Sequence, residues 1–168
     1  MRLSYEIAVW LHILAATIWV GGIAFLVLVV VPWLRETDRN LAATMLNAAG
    51  RRFRNIGWIC FAVFLVTGSY SLWIRGVRLS SFMQPEWLSS AFGAAVVVKL
   101  VLFTLIVVVS LVHDFIVGPQ ATAAMQGDPR APRTQQLRRS ASLLGRVNAL
   151  LAVVILFAAV VLVRGVPW

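Results

Sequence analysis

Apolar residues run almost unbroken through four stretches of this chain, residues 7–31, 56–74, 92–117 and 143–163. Short segments rich in arginine, serine, glycine and proline separate them. Each stretch has about the 20 residues needed to cross 30 Å of hydrocarbon as a helix. An α-helix satisfies its own backbone hydrogen bonds in lipid, so the pattern predicts an all-α, integral membrane four-helix bundle, a single domain over residues 1–168. Pro32 predicts the end of the first span, and Gly118-Pro119 the end of the third. After the first span, Leu41, Met45, Leu46 and Ala49 fall at helical spacing and predict a short amphipathic helix. Phe82, Met83, Pro85 and Trp87 read as an interfacial turn, and residues 126–134 as a flexible linker. No segment repeats another in sequence.

Composition removes the soluble alternatives. A hydrophobic content of 61% and a mean hydropathy of +0.89 leave too little polar sequence to coat a water-soluble domain. The apolar run at the N-terminus is too long for a cleavable signal. The net charge of +9 comes from arginines grouped beside the spans, which suits anionic lipid headgroups at the cytoplasmic loops and not nucleic acid. Ten arginines (Arg35, Arg39, Arg51, Arg52, Arg54, Arg130, Arg133, Arg138, Arg139 and Arg146) lie in the first and third loops or at their edges. Arg2, Arg75, Arg78 and Arg164 lie on the other side. The positive-inside rule then predicts both termini outside, in the inner (cytoplasmic) membrane of a bacterium. Trp10, Trp33, Trp58, Trp73, Trp87 and Trp168 fall where interfacial aromatic belts form. A single cysteine, Cys60, excludes an intrachain disulfide and a Cys-pair metal site.

Apart from Arg146 at the edge of the fourth span, the ionisable residues that stand out inside the spans are His12, Lys99, His113 and Asp114. Lys99 is the chain's only lysine, and a charge at mid-membrane costs about 2.5–3.5 kcal/mol. Counting along each helix puts His12 about 6 Å and Lys99 about 7–8 Å below the outer boundary, level with Thr67 and Ser71. His113 lies about 21 Å further along its helix, near the inner boundary with Asp114, Asn148 and Arg146. At 100° per residue, Lys99, Ser110 and His113 share one face, which should look into the bundle.

The vertical gap means that His12 and His113 cannot ligate the same ion. Imidazole suits copper, with Asp114 able to complete a weak site at His113. Alternatively His12 serves as an axial ligand of haem b, with Lys99 as the opposite ligand or a propionate partner. Structural roles also fit: His12 and Lys99 snorkelling to headgroups, His113-Asp114 as a polar helix end, Asn148 as an interhelical hydrogen bond. No phosphate-cradling glycine loop or nucleophile elbow occurs, and catalytic residues are not assigned.

The stretch with Trp10, His12, Trp19, Gly21 and Gly22, followed by Val31-Pro32, resembles the opening helix of the copper-resistance protein D (CopD) family. Arg52-Phe53, Val66-Thr67-Gly68, Val98-Lys99-Leu100 and the run from His113-Asp114 to Gly118-Pro119 are similar to its later elements, in order. The resemblance implies an inner-membrane protein of copper uptake or tolerance. It lacks the extra helices, periplasmic domain and Met- or His-rich outer segment of larger family members. The layout is also similar to HemJ-type protoporphyrinogen oxidases, which implies haem b at His12 with Lys99 and Asn148 in matching places. Here no second histidine stands directly after the first helix, and Ala149 stands where an acid would follow Asn148. A third possibility is a non-catalytic subunit of a larger membrane complex, and a homo-oligomer is compatible with each.

Overall fold

The computed structural model describes residues 2–36, 39–128 and 130–164. Met1, Pro129 and Trp168 lie outside the described residues, as do the side chains of Arg35, Arg39, Leu46 and Arg164. Four helical stretches are long and apolar enough to cross a membrane: Arg2–Leu34, Asn47–Ile74, Ala91–Gly127 and Pro132–Val161. The protein is a multi-pass, all-helical membrane protein. Its residues group into two compact units, Met1–Ser81 and Phe82–Trp168.

The first unit is a helical hairpin. Helix α1 (Arg2–Phe25) passes through a π turn (Leu26–Val30) into α2 (Val31–Arg35), and α3 (Arg39–Ile74) returns along it. Ala8, Ala15 and Trp19 form the buried stripe of α1, with spacings of seven and four residues. Small residues set how closely the helices approach. Gly57 of α3 lies under the Trp19 indole, and Gly22 of α1 under Phe53, where a Cβ would come 2.3 Å from the ring. The other faces of α1 carry exposed apolar residues such as Ile13 and Leu14, as a lipid-facing surface requires.

In the second unit a 3-10 turn (Leu79–Met83), begun in the first, leads into α4 (Pro85–Ser89) and then α5 (Ala91–Leu111). Ser90 caps α5, its hydroxyl accepting from the Gly93 N–H at 3.0 Å and donating to the Trp87 carbonyl at 2.6 Å. Gly93 is required there, because a Cβ would fall 1.9 Å from that carbonyl oxygen. A π turn (Val112–Val117) links α5 to α6 (Gly118–Gly127), and α7 (Pro132–Arg164) packs back along both. The return helices α3 and α7 have 36 and 33 residues, so each extends well past a span of about 20. The amphipathic segment expected at residues 41–49 is the first part of α3 and not a separate helix.

The prolines do not end the first and third spans, as expected, but lie within continuous helical rods. The π turns explain this. The N–H before each proline reaches back five residues, Val31 to the Leu26 carbonyl and Gly118 to the His113 carbonyl. Each proline then enters at the start of a new helix, where its missing N–H and fixed φ are tolerated. Although no segment repeats another in sequence, the two units repeat one order of elements: long helix, π turn, proline-led helix, long return helix.

Candidate functional site

His12 lies half-buried on the α1 stripe, between Ala8 and Ala15. It meets the α3 face made by Phe64, Thr67 and Gly68, spaced three and one residues apart so that all lie on one side. Phe64 packs against the imidazole with ring centroids 5.1 Å apart. Gly68 faces the imidazole edge, where a Cβ would be 3.7 Å from His12 Cε1. Thr67, 5% exposed, places Oγ1 2.7 Å from His12 Nδ1. Below this level Trp19 packs on Phe61 and Phe64, giving His12 an aromatic floor.

The hydroxyl of Thr67 decides which imidazole nitrogen is basic. It donates its single proton to the Val63 carbonyl at 2.6 Å, so toward His12 it can only accept. Nδ1 therefore carries the hydrogen, and the lone pair of the neutral ring resides on Nε2. Ser71 hydrogen-bonds the Thr67 carbonyl at 2.8 Å rather than His12, and so supports α3 locally.

The second histidine is arranged by the same rule with a different partner. His113 Nδ1 lies 2.8 Å from Asp114 Oδ1, and a carboxylate only accepts. In a neutral ring the lone pair then falls on Nε2 here too. The side chain of His113 is 37% exposed and that of Asp114 17%. Ser110, three residues earlier, is 4% exposed. His113 is half-buried, three residues after the buried Ser110 on the same helix.

Asn148 of α7 donates from Nδ2 to Ser110 Oγ at 2.9 Å, an interhelical hydrogen bond of the kind expected. Its Oδ1 is buried and has no hydrogen-bond partner. Arg146 is exposed. Lys99 is half-buried on the α5 stripe that includes Val96 and Ile106, and it belongs to the second unit, whereas His12 belongs to the first. Among the described residues, no group of three His, Cys, Asp or Glu side chains converges as a closed metal cage. Chain position alone had singled out the histidines. It had missed Phe64, whose spacing of three residues from Phe61 was the available signal.

Comparison with known proteins agrees with this picture at the level of family. The family model described as "Copper resistance protein D" matches residues 47–162, which includes Thr67, Lys99, His113, Asp114 and Asn148. An uncharacterized protein of Aquifex aeolicus is 31% identical over 119 residues, covering 69% of this chain and 72% of that protein. The copper transport protein CutJ of Bacillus subtilis is 32% identical over 111 residues, 66% of this chain but only 19% of CutJ. This chain thus corresponds to a small part of that relative. No solved structure matches it. The match across most of the chain, on a four-helix membrane protein, shows that it belongs to the copper resistance protein D family.

Proposed function

We propose that the protein handles copper within a bacterial inner membrane, taking it at His12 on the outer side and at His113-Asp114 on the inner side. One observation carries this reading. Both of the chain's histidines have Nδ1 within hydrogen-bond distance of an oxygen, an arrangement that ligation through Nε2 would preserve. Metal-binding histidines have this arrangement, in which an outer partner fixes the tautomer and raises the ring's basicity. Imidazole is a good copper ligand, and family membership supplies the metal.

Neither site is a cage. An ion held by one imidazole keeps open positions and exchanges readily, which suits passage more than storage. The distribution of arginines supports an orientation with both termini outside and the first and third loops in the cytoplasm. Those arginines meet anionic headgroups; Arg51, Arg52, Arg138 and Arg139 are all exposed. The haem b reading rests on the sequence resemblance alone.

The test is copper binding by the purified protein in detergent, measured by metal analysis after loading with Cu(I) and desalting. His12→Ala and His113→Ala should each lose one bound equivalent, and the double variant should lose both. Cells producing the wild type should accumulate a different amount of copper from cells producing the double variant. Equal copper content in all four proteins refutes the reading. A Soret absorption band that disappears in His12→Ala would establish haem instead.

A further inference from the structure

The repeated order of elements has a fixed register. The π turns close from Val31 to Leu26 and from Gly118 to His113, and Pro32 and Pro119 follow; each pair of equivalent positions lies 87 residues apart. Carried back along the first helix of each unit, the same offset pairs Trp19 with Ile106. These are the most buried large residues of their helices, 4% and 1% exposed. Seven residues before each lies a half-buried ionisable side chain, His12 in α1 and Lys99 in α5. On both helices that residue lies along the buried stripe, two turns before the Trp19 or Ile106 anchor. Chance placement of the single lysine at this register would be a notable coincidence, since α1 and α5 share no recognisable sequence.

We infer that the two units are copies of one hairpin plan, and that Lys99 occupies the second unit's equivalent of the His12 metal position. Lys99 thereby sets how many cations the chain accepts on its outer side. The inference rests on the reading of His12 as a copper ligand. An imidazole with its lone pair on Nε2 offers a ligand. A lysine ammonium offers three donors and no acceptor. At this position the first hairpin presents a ligand to a cation, while the second presents an ammonium in its place. Lys99 is thus a specificity-determining residue that closes the His12-equivalent position of the second hairpin to metal and leaves the His113-Asp114 position of that hairpin unaffected.

Substitution should reopen it. Lys99→His is expected to gain one copper equivalent over wild type under saturating Cu(I), measured by metal analysis on the folded, monodisperse protein. The added site should bind 10–100-fold more weakly than that of His12, which has Thr67 of its own hairpin at Nδ1. The outer half of α7, from Ala149 to Val161, has no hydroxyl to play the part of Thr67. The exchange variant H12K/K99H should recover the equivalent that H12K loses. Val98→His, one residue away on an exposed position, should gain nothing.

The inference is overturned if Lys99→His, folded by circular dichroism, gains no copper, or if Val98→His gains as much. It is also overturned if H12K/K99H stays at the level of H12K, or if Lys99→Met loses an equivalent, since lysine would then itself be a ligand. Failure of the His12 reading looks different: H12K would retain the full wild-type copper content.

Discussion

Replacing Thr67 by valine removes one oxygen from the centre of the outer site and almost nothing else. Valine keeps the β-branched shape, so packing against Phe64 and the α1–α3 contact should survive. The hydroxyl's own hydrogen bond to the Val63 carbonyl disappears together with its donor, which leaves no orphaned proton there. What remains is His12 Nδ1–H, deprived of the acceptor 2.7 Å away. The ring can then exchange tautomers and turn in its slot above Gly68. Loss of such a partner lowers metal affinity 10–100-fold in comparable sites, about 1.4–2.8 kcal/mol. Leaving a partly buried donor unsatisfied should cost about 1 kcal/mol of stability, the low end of the usual range because His12 is only half-buried. Cu(I) affinity is read by competition with a chromogenic chelator, and stability by thermal unfolding in the same detergent. Thr67→Ser keeps the hydroxyl and should stay within about threefold of wild type, an allowance of under 1 kcal/mol. The reasoning fails if Thr67→Val binds copper as tightly as wild type while His12→Ala does not. It fails equally if serine is as damaging as valine.

The other sites give independent expectations. Asp114→Asn removes the carboxylate from His113 Nδ1 and should weaken the inner copper site 10–100-fold while leaving the outer one unchanged, by chelator titration in a His12→Ala background. Gly22→Ala drives a Cβ into the Phe53 ring and should cost about 1–3 kcal/mol, lowering the unfolding temperature by several degrees. Gly21→Ala, where a Cβ meets nothing within 4 Å, should be neutral in the same melt. Ser110→Ala orphans the amide of Asn148 and should destabilise by about 1–3 kcal/mol, whereas Asn148→Leu removes an amide with an unpartnered oxygen and should be neutral or stabilising. If the two variants melt alike, the accounting at Asn148 is wrong.

The sequence alone determined the solvent, the fold class and the short roster of residues that could do chemistry. Spanning length is a property of local composition, because lipid leaves the backbone no partner outside its own helix. Intramembrane histidines stand out for the same reason: they are costly where everything around them is apolar. Tertiary structure decided the rest. No local rule foretells that Pro32 and Pro119 are carried through by π turns, since that depends on which carbonyl each preceding N–H can reach. Above all, the pairing of His12 with Thr67 joins residues 55 positions apart. Only helix packing brings that hydroxyl to the imidazole, and with it the choice of nitrogen that can meet a metal.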